Sequence, residues 1–251
     1  LHGTSVDDAI EGINRLFKAD IDPARVAAII IEPVQGEGGF YVAPPELLRR
    51  LRALCDEHGM LLIADEVQSG FARTGRWFAM EHAGVDPDII VTAKSLAGGF
   101  PLSAVTGRAA VMDAAAPGGL GGTYAGNPVS IAAALAVLDI IEAEQLVMRA
   151  NDLGDRIKRT LGKLQKTQPQ IADVRGLGAM IGVEFADPAT RLPDAAFTKR
   201  VQAAAFDAGL LLLTCGVHFN VIRFLMPLTI PEQVFTEALQ ILEQSIRSAA
   251  P

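Results

Sequence analysis

Three ionisable residues each follow a short apolar run: Glu32 closes VAAIIIE, Asp65 closes LLIAD and Lys94 closes DIIVTAK. A lysine at the end of a buried strand, where an ammonium is costly to desolvate, is a nucleophile towards carbonyls and forms Schiff bases. An aspartate at a neighbouring strand end could keep a pyridinium nitrogen protonated, the ion pair that turns pyridoxal phosphate into an electron sink. Either residue alone also reads as an ordinary charge ending a strand or capping a loop, but Asp65 and Lys94 together support one another. LLIADE fits a second chemistry as well, the ATPase strand whose aspartate holds magnesium and whose glutamate activates water. The phosphate-cradling partner of that strand, G-x-x-x-x-G-K followed by Ser or Thr, is absent from the sequence. Its nearest imitation, Gly162-Lys163, continues with Leu164 inside a predicted helix.

Other residues could hold a ligand. Arg223 stands inside the apolar run VIRFLMPL, where an unpaired guanidinium is costly, so it needs a structural carboxylate or a substrate carboxylate bound bidentately. Glu37, in the loop VQGEGGFYVAPP, is a candidate for that anion. Gly118, Gly119, Gly121 and Gly122 precede Thr123 near a helix start. Such a stretch offers backbone N–H groups to a phosphate, or is simply a surface loop. His2, His58, His82 and His218 have no partners at metal-ligand spacing and read as structural, so no metal site is expected.

Strands are expected at 26–31, 60–64, 88–93 and 103–106. A capping box of Ser5 and Asp8 opens a helix to about residue 18, with Ile10, Ile13, Leu16 and Phe17 at helical spacing. A second helix carries Leu47, Leu48, Leu51, Leu54 and Cys55 on one face and stops at Gly59. Strands alternating with helices in this way imply an α/β fold with a mainly parallel sheet covered on both faces, and ligands beyond the carboxyl ends of its strands. Glu32, Asp65 and Lys94 are therefore expected to converge, although 33 and 29 residues separate them. From Asn127-Pro128 a helical pattern continues to about residue 166. The runs ADVRGLGAMIGVEF, LLLLT and VIRFLMPL then alternate with helices at 195–208 and 232–247, the last capped by Thr229 and Glu232. The expected division is a larger domain over 1–145 and a smaller α+β domain over 146–251.

The chain of 251 residues is long enough for one large or two moderate domains, and 50% apolar with 20% charged residues excludes general disorder. A formal charge of −7 leaves no broad basic field for nucleic acid or an anionic membrane. The longest apolar runs are strand-sized, short of the ~20 residues that cross a bilayer. Cys55 and Cys215 form no disulfide framework or metal pattern, which makes a reducing cytoplasm the expected compartment. The sequence opens on Leu1 and a polar, acidic stretch, so it is expected to be the later part of a longer protein.

Taken together, IEPVQGEGGF, LLIADEVQSGFARTGRWFAMEHAGVDPDIIVTAKSLAGGFPL and GGTYAGNP resemble the class III pyridoxal-phosphate-dependent aminotransferases, over essentially the whole chain. The resemblance implies the aspartate-aminotransferase-like large domain of fold type I, incomplete at its N-terminus, then a small C-terminal domain, in a homodimer. It implies that Lys94 is the Schiff-base lysine and proton shuttle, that Asp65 pairs with the pyridine nitrogen, that Val67 packs on the ring and that Gln68 reaches its phenolic oxygen. Thr123 would contact the phosphate in the partner subunit's site. Arg223 would take the α-carboxylate of glutamate or 2-oxoglutarate, Glu37 would shield that arginine when the other donor binds, and Glu32 would support the network near the cofactor. The implied reaction moves an amino group from an ω-amino acid, foremost 4-aminobutyrate, to 2-oxoglutarate. Ornithine or acetylornithine as donor, a cofactor-free dimerising fragment and a truncated P-loop ATPase are the alternatives. The family's phosphate cup and ring-stacking aromatic would precede Leu1, so this chain by itself is expected to hold little cofactor and to be inactive.

Overall fold

The computed structural model describes residues 4–250. The chain divides into two compact units. The first contains the residues up to Pro33, Ala43–Phe71 and Arg76–Glu144; the second contains Val34–Val42, Ala72–Gly75 and the chain from Gln145 onward. A single boundary at 145 therefore misses two short excursions, one after each of the first two strands.

In the first unit, helix α1 (Val6–Ala19) opens on the expected capping box: Ser5 Oγ accepts from the Asp8 amide at 3.0 Å, and the Asp8 carboxylate accepts from the Ser5 amide at 3.2 Å. Strand β1 (Ala28–Ile31), helix α2 (Pro45–His58), strands β2 (Leu61–Asp65), β3 (Ile89–Thr92) and β4 (Ala104–Gly107), the single-turn helix α3 (Ala109–Met112) and helix α4 (Pro128–Ala143) follow. The sheet order is β1-β2-β3-β4, with the first three strands parallel and β4 antiparallel to β3. Leu47, Leu48, Leu51, Leu54 and Cys55 of α2 are buried together with Ile10, Leu62 and Ala64, and Gly59 ends the helix at φ +68°. Asp88 joins this layer to the sheet. Its carboxylate, 2% exposed, accepts from the Leu62 amide at 2.7 Å and pairs with Arg52 at 2.7 Å and Arg108 at 2.6 Å.

Strand β1 departs from expectation at its start and in its burial. Pro23–Arg25 forms a 3-10 turn capped by Asp22, which delays the strand to Ala28. Ile29 and Ile31 pack against the α2 layer, whereas Ile30, on the other face of β1, is 62% exposed, so the strand's apolar run is not buried on both faces.

The second unit comprises helix α5 (Leu146–Gln165), strands β5 (Ile171–Leu177) and β6 (Met180–Phe185), helix α6 (Ala195–Asp207), strands β7 (Leu213–Cys215) and β8 (Val221–Phe224), and helix α7 (Glu232–Ala249). Its sheet is antiparallel throughout, in the order β5-β6-β8-β7. Leu153, Ile157, Leu161 and Leu164 of α5 are buried, as are Val183, Phe185, Phe197 and Ile222, with the Phe185 and Phe197 rings edge to face at 5.1 Å.

The helical pattern expected to run from Asn127 to about residue 166 is broken. Gln145 takes φ +52°, and α4 and α5 belong to different units, each burying its own apolar positions. The expected caps of α7 are also corrected. Pro231 stands at the N-cap without a side-chain bond, while Glu232 accepts from Arg156 at 2.8 Å and Arg149 at 3.3 Å of α5. Segment Ala72–Gly75 joins this unit through backbone and side-chain bonds: the Ala179 amide donates to Arg73 O at 2.9 Å, Arg73 Nη1 to Met226 O at 2.8 Å, and Asn151 Nδ2 to Gly75 O at 3.1 Å. Burial lowers the Arg73 guanidinium to about 10.

Candidate active site

Parallel register fixes the first group of candidate residues. Ile31 pairs with Ala64 and Asp65 pairs with Val91, so Glu32 and Asp65 follow neighbouring strands at one level and Lys94 comes three residues beyond Val91. Lys94 is not a desolvated strand-end group in this chain. It is exposed, opens the 3-10 turn Lys94–Ala97, and takes φ +46°, a left-handed conformation that costs a residue with a Cβ about 1 kcal/mol or more. The backbone strain thus falls on the amine-bearing residue itself.

Asp65 is half-buried, and its Oδ1 accepts from the Val67 amide at 3.1 Å, which orients the carboxylate. Three residues beyond Asp65, Gln68 Oε1 is buried and has no hydrogen-bond partner. A bound polar group would relieve the cost of that orphaned atom, so the set fits a cofactor with a hydroxyl and a basic ring nitrogen.

Glu66, the neighbour of Asp65, has a different task. It is 1% exposed, and its carboxylate accepts from Ser69 Oγ at 2.5 Å, the Ala79 amide at 3.0 Å and the Met80 amide at 2.9 Å. A carboxylate engaged by three donors in this way is committed to holding the segment that follows β2 rather than to activating water. Gly162-Lys163 lies within α5. The truncated P-loop ATPase alternative is corrected on both points.

Thr123 sits in an exposed run of turns. The first amides of α4 are already served by Asn127 Oδ1, which accepts from Val129 at 3.0 Å and Ser130 at 3.3 Å. What the glycine stretch offers a ligand is therefore loop amides rather than a bare helix end. His58 sits edge to face with Phe17 at 5.4 Å, His2 lies outside the described residues, and no group of three or more His, Cys, Asp or Glu capable of holding a metal occurs among the described residues.

The second unit pairs the other two candidates. Arg223 Nη1 donates to Glu37 Oε1, the arginine side chain being 13% exposed and the glutamate 75%. An almost buried cation thus faces a carboxylate that reaches it from solvent.

Sequence reasoning missed Arg175. Its Nε and Nη2 donate to Gly39 O at 2.9 and 2.7 Å, and its Nη1 donates to Glu184 Oε2 at 2.6 Å and Asp173 Oδ2 at 2.8 Å. The guanidinium lies 3.8 Å over the Tyr41 ring. Tyr41 Oη and Asn220 Nδ2 complete the set by donating to Glu184 at 3.0 and 3.2 Å. Burial raises the Glu184 carboxyl, but Arg175, Tyr41 and Asn220 outweigh it and hold the group below its usual range. The only hint in the sequence was a charged residue inside the ADVRGLGAM run.

A parallel sheet with a lysine and an aspartate beyond adjacent strand ends is the arrangement of a fold type I pyridoxal-phosphate enzyme. The family described as "Aminotransferase class-III" matches residues 2–246, and the chain belongs to it. It is 58% identical over 250 residues to the 4-aminobutyrate aminotransferase GabT of Escherichia coli K12, covering 99% of this chain and 59% of that protein. It is 55% identical over 250 residues to the 5-aminovalerate aminotransferase DavT of Pseudomonas putida KT2440, covering 100% of this chain and 59% of that protein. The pyridoxal-phosphate-bound amine transaminase from an uncultivated Pseudomonas species superimposes with a TM-score of 0.87 at 35% identity, over 98% of this chain and 57% of its own. The chain thus spans 59% of the length of these two curated relatives.

Proposed function

We propose that this chain carries the lysine-bearing part of a pyridoxal-phosphate-dependent aminotransferase that moves an amino group from an ω-amino acid, foremost 4-aminobutyrate, to 2-oxoglutarate. The observation that carries this reading is the β1-β2-β3 register, which sets Glu32 beside Asp65 and brings Lys94 three residues past the same level. Two relatives named for donors that differ by one methylene support the ω-amino acid class.

When bound, the cofactor supplies an electron sink. Lys94 would anchor it through the ε-amine and carry the proton at the substrate carbon that bears nitrogen. Asp65 would keep the ring nitrogen protonated, Val67 would pack on the ring, Gln68 would bond its phenolic oxygen, and Glu32 would steady this network. Thr123 would reach the phosphate in the partner subunit's site, which makes the working unit a homodimer. Arg223 would bind the α-carboxylate of glutamate or 2-oxoglutarate through two parallel bonds. An ω-amino acid carries no carboxylate on its amine-bearing carbon, and Glu37 would then cover the arginine. The two free, buried cysteines support a reducing, cytoplasmic setting.

The test begins with the intact protein and added pyridoxal phosphate. Borohydride reduction and peptide mapping should place a covalent adduct on Lys94 and none in Lys94→Ala; a chain that only dimerises would give no adduct. A donor panel with 2-oxoglutarate should then show 4-aminobutyrate or 5-aminovalerate fastest. Ornithine or acetylornithine as the fastest donor would replace the substrate assignment, and no transamination from any of them would sink the reading.

A further inference from the structure

The Glu37–Arg223 pair poses a mechanical problem. If Glu37 is to cover Arg223 for one substrate and withdraw for the other, its side chain must move while its backbone stays in place. The loop that carries it, 35–41, contains three glycines and no helix or strand longer than an isolated bridge between Val34 and Val42. Such a segment has little intrinsic stiffness.

The structure supplies the stiffness from outside the loop. On one side of Gly38, the Gly216 amide donates to Glu37 O at 2.9 Å. On the other side, Arg175 grips Gly39 O with two N–H groups. Phe40, fully buried at φ +60°, and the bonds between Gln35 and Phe40 and between Gln35 and Tyr41 close the loop behind that grip. Arg175 is fixed in turn by Glu184, which Tyr41 and Asn220 orient. The Tyr41 ring under the guanidinium blocks its withdrawal. The Glu37 backbone is thus held from both flanks, whereas its carboxylate is the exposed member of the pair.

We infer that Arg175 is a positioning residue for the Glu37–Arg223 pair, and that its hold on the Gly39 carbonyl sets how well Glu37 covers the arginine and hence how the enzyme divides its two half-reactions. This inference rests on the switch reading of Glu37 and Arg223 given above. The hydrogen bonds of Arg175 go to Gly39 O, Asp173 and Glu184, so its hold on Glu37 runs through the loop backbone.

The test measures both half-reactions separately in the intact holoenzyme and takes the ratio of kcat/KM for 4-aminobutyrate to kcat/KM for glutamate. Glu37→Gln should lower this ratio, because the arginine stays uncovered. Arg175→Gln should lower it in the same direction by about tenfold, and adding Glu37→Gln to it should lower it little further, as expected for residues acting through one device. Arg175→Lys, which keeps a charge for Glu184 but cannot make the same forked contact with Gly39 O, should give a smaller shift of the same sign. It also serves as the folded variant if the glutamine does not fold. A purely structural role would depress both half-reactions together and leave the ratio unchanged. A ratio moved by Glu37→Gln but unmoved by the folded Arg175 variant, or independent, multiplying effects in the double variant, overturns this inference alone. A ratio unmoved by Glu37→Gln overturns the switch reading and this inference with it.

Discussion

Gly154 of α5 lies against the carbonyl of Gly178 in the turn between β5 and β6, and a methyl group built on it would stand 1.7 Å from that oxygen. Gly178, at φ +50°, is pressed in turn against the backbone of Thr74 and Gly75. Helix, hairpin turn and the 72–75 excursion therefore meet backbone to backbone, with no side chain able to yield.

Gly154→Ala should destabilise the second unit by about 1–3 kcal/mol, the usual range for overpacking. Gly162→Ala, on the same helix but facing open space, should be neutral or stabilise by about 0.5–1 kcal/mol through helix propensity. Urea unfolding of both variants checks the contrast; equal midpoints would mean that the backbone contact yields without cost.

Lys94 offers a test of local strain that needs no cofactor. At φ +46°, Lys94→Gly should be about 1 kcal/mol more stable than Lys94→Ala, because only glycine occupies that region without a Cβ penalty. Thermal unfolding of the two variants decides it, and a more stable alanine variant would show that the turn relaxes once the amine is gone.

Asp88 carries an acid dependence. Burial raises its carboxyl, but the bonds from Arg52 and Leu62 and the charges of Arg52 and Arg108 outweigh it, so the folded value lies below the ordinary 3.8. A depressed carboxyl contributes stability that is complete above the unfolded value and is lost as pH falls through the lower folded one. Asp88→Asn should cost about 1–3 kcal/mol near neutral pH, since it leaves Arg52 with Asp56 alone and weakens the acceptor for the buried Leu62 amide. It should also flatten the loss of stability below about pH 4. Parallel acid profiles for the two proteins would contradict this.

The thiols should be inert in the folded protein. Burial pushes Cys215 up to about 11 and also raises Cys55. A thiol reagent at pH 8 should leave both unmodified and titrate two per chain after unfolding. Fast labelling of the native protein would show that one of the two units opens locally.

Much of the first unit could be read from local signals. Ser5 with Asp8, the apolar face from Leu47 to Cys55 and the αL stop at Gly59 are written within a few residues of where they act. The strand ends at Glu32 and Asp65 follow from apolar, β-branched runs that stop at a charge. Long-range packing decided the rest. Ile30 looks like a core residue by type, and only the packing shows that the α2 layer covers the opposite face of β1, where Ile29 and Ile31 lie. The break at Gln145 reflects which unit each helix packs into, a fact absent from an uninterrupted helical pattern. Adjacent carboxylates Asp65 and Glu66 look equivalent in sequence, yet three donors from 69–80 occupy only the second. Arg175 was hidden for the same reason, since its partner Gly39 is 136 residues away.

The grip of Arg175 on Gly39 also bears on engineering. The glutamate-bearing loop has the look of a portable cassette: short, glycine-rich and bounded by the Val34 and Val42 bridge. It is not self-sufficient. Its shape is borrowed from a hairpin encoded far downstream, and Arg175 is useful there only because Glu184, Tyr41 and Asn220 hold it in turn. Transplanting residues 34–42 into another scaffold would carry the glutamate without the means of aiming it. A recombination crossover placed anywhere between the loop and β5 would separate the two halves of one device, so chimaeras should be cut where loop and hairpin come from the same parent.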